Sequence, residues 1–246
     1  MEHNDGGRRR RGGSLAAAAG LAVLVALTGG AVIALGSSSS SSSSPSGAAA
    51  TASSSPSEAA VAVTVSPSDG PTTPGHLSGQ VTKDGVHSGD LRYFLLPVPA
   101  GADDYDDPDG SVLTTDDIAV AAADQAGTRG ALTTYGFRAG AYRTYLTADG
   151  ATEVTVKLAR FAGPDQAAAY YASLSPQGTA LSLGALHPAR GYRLSSGSAE
   201  SSDAELAVSY QGDVQITVTV TGDRTPADTL LRDFVDAQFQ RLATTR

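Results

Sequence analysis

The segment ELAVSYQGDVQITVTVTGDRTPAD, residues 205–228, decides the predicted fold. Apolar and polar residues alternate along 205–210 and again along 214–220, which is the period of a strand with one buried face. Gly212-Asp213 supplies turn chemistry between the two runs. The pattern therefore predicts an antiparallel β-hairpin.

A helix is predicted directly after this hairpin. Thr225 suits an N-cap, Pro226 suits the first helical position, and Asp228 lies three residues after the cap. The residues that follow place an apolar stripe on one helical face: Leu231, Val235, Phe239 and Leu242. The whole segment thus predicts the order strand, turn, strand, helix.

A second unit of the same order lies earlier in the chain. Residues 141–146 alternate, Asp149-Gly150 supplies a turn, and residues 153–158 alternate back. Gly163-Pro164-Asp165 then begins a helix that runs to about residue 174. Two ββα-like units are therefore predicted.

The residues that precede these units are less regular. The apolar run 92–96 predicts a strand, which Pro97 would end. Thr114-Thr115 suits an N-cap, and residues 118–126 predict a short helix. Together the elements predict an α+β domain over residues 90–246, an antiparallel sheet with helices packed on one face. An all-β sandwich is the alternative if the middle helix does not form.

The N-terminal region predicts membrane attachment. Leu15–Leu35 is uncharged and apolar, long enough to span a hydrocarbon core of roughly 30 Å. Arg8–Arg11 stand just before it, so the positive-inside rule places residues 1–14 in the cytoplasm. We therefore predict a transmembrane anchor or uncleaved signal at 15–36, with the C-terminal domain outside. The alternative is a secreted protein, cleaved near Gly36.

Residues 37–89 predict a disordered linker rich in Ser, Pro, Thr and Ala. The stretch begins with eight consecutive serines, Ser37–Ser44, and carries few apolar side chains. Such a segment cannot bury enough surface to offset the entropy of ordering its backbone. Its predicted role is a tether between membrane and domain.

Composition excludes several classes of function. The chain has no cysteine and a formal net charge of -8. Without cysteine it forms no disulfide, thiolate metal site or thiolate nucleophile. An acidic domain also disfavours a nucleic-acid partner. The sequence predicts no oligomeric state and no cofactor.

One acidic loop is the sharpest local feature. Residues 103–110 read DDYDDPDG, and carboxylates are hard ligands suited to Ca²⁺. When Gly110 is aligned with the glycine of an EF-hand loop, Tyr105 falls at the first ligand position and fails it. A solvated acidic loop is therefore favoured, with calcium binding as the alternative. The candidate ligands are Asp104, Asp106, Asp107 and Asp109.

No catalytic constellation is visible in the sequence. The histidines lack the spacing of a zinc site, and no Gly-x-Ser-x-Gly elbow appears. His187 could meet an acid or a serine only through folding. The tyrosines of the domain are candidates for an interface, although residues on alternating strands are commonly half-buried.

Four short motifs carry a resemblance: LLPVPAG at 95–101, YGFR at 135–138, the Asp149-Gly150 turn, and Phe161-Ala162 before a helix. With its Ala-, Gly-, Thr- and Asp-rich composition, the chain resembles uncharacterised membrane-anchored or secreted actinobacterial proteins. Its layout is also similar to Mog1/PsbP-like domains of actinobacterial envelope proteins. The resemblance implies an extracytoplasmic α+β domain and brings no catalytic residue or ligand with it.

These observations favour one function over two others. We expect a membrane-tethered, extracytoplasmic and noncatalytic module that binds an envelope protein, glycan or lipid. One alternative is an envelope hydrolase with dispersed acidic and histidine residues. The other is a calcium-responsive domain that uses the 103–110 loop.

Overall fold

A computed structural model describes residues 77–105, 107–184, 187–194, 203–222 and 228–244. The predicted anchor, most of the predicted linker and Asp106 lie outside these residues. Among the residues described, none of the helices combines the length and the apolar character needed to cross a bilayer.

The described part of the chain is an α+β fold built on antiparallel strands. It contains β1 (Gly79–Val81), β2 (His87–Gly89), β3 (Asp103–Asp104), β4 (Ser111–Val112), β5 (Ala139–Leu146), β6 (Thr152–Arg160), β7 (Thr179–Leu181), β8 (Ala189–Leu194), β9 (Asp203–Gln211) and β10 (Val214–Gly222). Strands β1 and β2 pair with each other, and the main sheet runs β3-β5-β6-β10-β9-β8-β7 with β4 also on β5. The helices are α1 (Thr115–Val120), α2 (Gln125–Thr134), α3 (Pro164–Ser173) and α4 (Asp228–Ala243).

The two predicted hairpins form, and they occupy the centre of the sheet. Strands β5 and β6 are one hairpin, β9 and β10 are the other, and β6 pairs antiparallel with β10. Each hairpin is followed by its predicted helix, α3 after the first and α4 after the second. The ββα-like repeat is therefore confirmed in the structure.

The helices cover both faces of this sheet, so the prediction of helices on one face is wrong. Val156, Ile216 and Val218 pack in one core with Phe234 of α4. Leu132 of α2 and residues of α3 pack in a second core on the opposite face, with further members Ala159, Phe161, Ala167, Tyr170, Leu174, Leu206 and Val208. The physical reason lies in β9, where residues 204–209 are all buried, so apolar side chains leave the strand on both sides.

The first two helices differ from the predicted single helix at 118–126. Helix α1 begins earlier because Thr114 and Asp117 form a capping box: the Asp117 backbone N–H donates to the Thr114 hydroxyl, and the Thr114 N–H donates to the Asp117 carboxylate. It ends at Val120, and Asp124 caps α2 separately. Helix α2 contains Gly127 and Gly130, whose low helix propensity hid it from sequence reasoning.

Residues 91–94 form a 3₁₀ turn rather than the predicted strand. Asp90 caps this turn by accepting a hydrogen bond from the Arg92 backbone N–H. Leu91 and Phe94 are buried by it in the core that α4 covers. The Asp90 cap favours a turn over the extended conformation that the apolar run predicts. Such a cap is not visible in the alternation of apolar and polar residues.

The predicted linker ends too late, because residues 79–89 belong to the folded domain. His87 is 3% exposed; its Nδ1 lies 2.6 Å from Asp213 Oδ1, and its Nε2 lies 3.0 Å from the Leu242 carbonyl oxygen. The turn of the β1–β2 hairpin also packs closely against Gly212. A Cβ at that position would lie only 1.8 Å from the Gly85 carbonyl oxygen, so a larger residue would clash. A buried histidine joined to the β9–β10 turn and to α4 fixes the hairpin on the domain.

Candidate functional site

A cleft opens on the sheet face opposite α4, with α1 and α2 on one side and α3 on the other. Its floor is formed by β6, β9 and β10. The cavity volume is about 80 Å³, and about 710 Å³ when the open mouth is included. One water molecule needs roughly 10–15 Å³, so the cavity has room for more than one water molecule. The cleft therefore suits a small ligand.

The polar residues of the floor follow from strand alternation. Along β10, the valines and Ile216 point toward α4, so Gln215, Thr217 and Thr219 point into the cleft. Lys157 reaches the same floor from β6, where it is the cross-strand partner of Thr217. The polar part of the cleft floor thus consists of residues from the polar sides of β6 and β10, one strand from each predicted hairpin.

Lys157 is the one charged side chain among the cleft-lining residues that the structure describes. Burial lowers the pKa of its ammonium group from the usual 10.5, and the charge of Asp117 acts in the opposite direction. Among the described residues no carboxylate lies within 4.0 Å of this ammonium, and Asp117 is engaged by the Thr114 hydroxyl at 2.6 Å. A cation that burial penalises is therefore left facing the cavity.

Gln215 and Thr217 form a fixed pair beside it. The Gln215 side-chain amide donates to the Thr217 hydroxyl oxygen at 2.8 Å and also to the Ile216 carbonyl. Gln215 is 4% exposed, so this orientation is held inside the protein. Because the Thr217 oxygen accepts from the amide, its own O–H proton is available to an acceptor in the cleft.

The walls of the cleft are mostly apolar. They include Ile118 from α1 and Leu174 at the end of α3, and Val208 adds an apolar residue to the floor. Tyr170 contributes a ring whose phenol stays neutral, since burial raises its pKa to about 12. An apolar enclosure with a few convergent polar groups is the usual composition of a small-molecule site.

The predicted calcium ligands lie in a loop that is tied to the protein by backbone contacts. Asp107 Oδ1 accepts from the Asp109 backbone N–H at 2.9 Å, an Asx-turn arrangement. Arg143 donates to the Pro108 carbonyl at 2.6 Å, and Asp104 pairs with β5 as part of β3. Within the described residues, which exclude Asp106, no three acidic or histidine side chains converge as metal ligands. Calcium binding here stays a prediction.

His187 meets both a serine and an aspartate, which sequence spacing could not show. Its Nε2 lies 2.7 Å from Asp236 Oδ1 of α4, and its Nδ1 lies 3.2 Å from Ser209 Oγ. Ser209 is fully buried and donates its proton to the Pro188 carbonyl at 2.7 Å. The imidazole stacks on the Phe239 ring, with the two ring centres 4.0 Å apart. A serine that is buried and already donating is not an accessible nucleophile, so the trio fastens the 187–189 segment to α4.

The tyrosines do not form one shared surface. Tyr145 is buried on the α4 side beside Phe234, whereas Tyr170 lies in the cleft wall. Tyr171 lies beside Tyr210 with ring centres 5.1 Å apart, and Arg190 stacks over the Tyr171 ring. The predicted interface residues are thus distributed over both faces of the sheet.

Sequence reasoning missed the residues that line the cleft floor. Lys157, Gln215, Thr217 and Thr219 read as the solvent side of two strands, because nothing local reveals that helices cover that side. One signal was present: Lys157 is one of only two lysines, and it interrupts a strand of Val, Thr and Leu.

Comparison with known proteins adds little. No protein-family model matches the sequence, and no curated protein matches it. Among solved structures, the chain is similar to the extracellular domain of PknH from Mycobacterium tuberculosis, with 11% sequence identity and a TM-score of 0.36. The similarity covers 46% of this chain and 69% of that one. A likeness at this level carries no argument about function.

Proposed function

We propose that this protein is a membrane-tethered, extracytoplasmic and noncatalytic binding module whose ligand occupies the cleft between α1–α2 and α3. Leu15–Leu35 would anchor it, and the serine-rich segment that follows would be the tether. The observation that carries the proposal is the cleft itself, an apolar enclosure over a floor that presents Lys157 and Thr217.

Binding accounts for the site better than catalysis does. General acid–base or nucleophilic chemistry needs a reactive group held against a partner that activates it. The cleft floor joins one ammonium group to hydroxyl and amide groups, and the Ser209–His187–Asp236 trio lies on the other face of the sheet. The hydrolase alternative would rely on His187, whose serine partner Ser209 is fully buried.

The test uses the full-length protein in lipid nanodiscs, with empty nanodiscs as the blank. Three six-carbon probes of different charge are titrated by ligand-observed NMR: hexanoate, hexan-1-ol and hexylammonium. Ala121 lines the cleft and is half-buried, so Ala121→Phe should fill it. Ala123 is exposed and does not line it, so Ala123→Phe is the matched control.

We expect at least one probe to bind, with an affinity that falls tenfold or more in Ala121→Phe and stays unchanged in Ala123→Phe. Equal binding by both variants would place the ligand elsewhere and overturn the proposal. Failure of all three probes to bind the wild-type protein would overturn it as well.

A further inference from the structure

The cleft floor presents two hydrogen-bond donors side by side. Lys157 and Thr217 are direct cross-strand partners on β6 and β10. Side chains in such positions have Cβ atoms roughly 4.5–5.5 Å apart and point to the same face. The ammonium group and the hydroxyl can therefore reach the same ligand group.

Both donors lack an acceptor among the residues that the structure describes. No hydrogen bond or ion pair involves the Lys157 ammonium there, and the Thr217 hydroxyl takes part only as the acceptor from Gln215. Both side chains are half-buried and line the cleft, so their donors open into it. Two adjacent donors that face one cleft are suited to bind the acceptors of a single ligand group.

We propose that the cleft binds a short amphipathic carboxylate, whose two oxygens bond to Lys157 and Thr217 and whose apolar chain lies against the helical walls. This inference rests on the proposed function and names the ligand class for that same site. Ile118 of α1 and Leu174 of α3 are the apolar contacts on either side.

A monoanion fits this floor better than a group of higher charge. The floor provides one cation, and the negative charge of Asp117 acts on that same cation. A phosphate dianion commonly recruits several cations or backbone N–H groups, or an arginine fork. No arginine is among the lining residues that the structure describes. The enclosed volume of about 80 Å³ keeps the buried part of the ligand short.

The experiment compares hexanoate with hexan-1-ol, which share a chain and differ in the anionic group. Full-length wild-type protein in nanodiscs is titrated beside Lys157→Met, and the exposed Lys83→Met is the matched control in a chain of only two lysines. We expect the wild-type protein and Lys83→Met to bind hexanoate at least tenfold more tightly than hexan-1-ol. In Lys157→Met this preference should vanish, while hexan-1-ol binds as before.

Thr217→Val is the second variant, since it removes the hydroxyl and conserves the shape of the side chain. We expect it to weaken hexanoate binding several-fold and to leave hexan-1-ol unchanged. Retained hexan-1-ol binding in either variant shows that the cleft is folded.

Three outcomes would overturn the carboxylate proposal without contradicting the proposed binding function. They are equal wild-type affinity for hexanoate and hexan-1-ol, tighter binding of hexylammonium than of hexanoate, and a hexanoate affinity that Lys157→Met does not change. If no probe binds the wild-type protein, the proposed function fails, and the carboxylate proposal fails with it.

Discussion

The two faces of the main sheet use the same strands for different purposes. The face under α4 presents Val156, Ile216 and Val218 to Phe234, and all four side chains are at most 2% exposed. The face under α1–α3 presents Lys157 and the Gln215 amide, together with threonines, to a cleft. We call the first the closed face and the second the cleft face.

The difference shows how one short alternating segment can encode both a core and a site. In the run 214–220 every second residue is a β-branched aliphatic, which gives the closed face a dense core. The residues between them are polar and small enough to leave space below the helices. The closed face therefore supplies stability, and the cleft face is free to keep groups that stability alone would not select.

The largest effect is expected from opening the closed face. Phe234→Ala removes a fully buried ring that packs edge to face on the Tyr145 ring, with the two ring centres 6.1 Å apart. It should lower the free energy of unfolding by about 3–5 kcal/mol, because the cavity it leaves cannot collapse fully. Urea unfolding of the full-length protein measures this. A loss no larger than that from Ile118→Ala, on the cleft face, would contradict the distinction between the faces.

Exchanging side-chain chemistry between adjacent positions of β10 sharpens the comparison. Val218→Thr buries a hydroxyl on the closed face and should cost about 1–3 kcal/mol of unfolding free energy. Thr217→Val lies on the cleft face and should cost less, about 0.5–1.5 kcal/mol, for the hydrogen bond that the Gln215 amide loses. The same urea midpoints check both variants. Similar losses in the two would mean that both faces are equally closed.

Lys157→Met tests whether the cleft face retains a group at the expense of stability. Without ligand, we expect the free energy of unfolding at pH 7 to rise by roughly 0.5–2 kcal/mol, since a desolvated cation is removed. Lys83→Met should leave it unchanged. A marked loss of stability in Lys157→Met would instead indicate a purely structural lysine.

The stability difference between wild type and Lys157→Met should depend on pH in a defined direction. Because burial lowers the pKa of Lys157 from 10.5, folding disfavours its charged form relative to the unfolded chain. This destabilisation should be present in full below the lowered pKa and should be lost as pH rises from there to 10.5. The difference between wild type and Lys157→Met, measured by urea unfolding at increasing pH, should shrink across that range. A constant difference would contradict burial of the charge.

A modest effect is expected at the cap of α1, which borders the cleft. Hydrogen bonds from Thr114 lower the pKa of Asp117 below its usual 3.8. The contribution of this carboxylate is thus present above pH 3.8 and is lost as pH falls through the lowered value. Thr114→Ala should cost about 1 kcal/mol at pH 7. Thermal unfolding at pH 7 and pH 3 should show a smaller difference between wild type and variant at the lower pH.

The elements with strong periodicity could be predicted from sequence. The hairpins β5–β6 and β9–β10 and the helices α3 and α4 lie where alternation and turn residues placed them, and α3 begins at Pro164 as predicted. The predicted cap Thr225 and Pro226 of α4 lie outside the described residues. The signals of these elements are local, so neighbouring residues are enough to produce them.

The remaining features depend on contacts between distant residues. Leu206 and Val208 face one helical layer and Ala207 faces the other, but an unbroken apolar run does not say what covers each side. Lys157 and Thr217 become neighbours only through the register of β6 with β10, 60 residues apart in number. For the same reason His187 reached Ser209 and Asp236 without any sequence motif.

The burial of His87 has a mechanical consequence if the protein is tethered as we propose. A chain pulled from its N-terminal side transmits tension through the β1–β2 hairpin before it reaches the main sheet. His87 spreads that load at once to Asp213 in the β9–β10 turn and to Leu242 at the end of α4. Tension on this hairpin is therefore shared by elements that are distant in sequence.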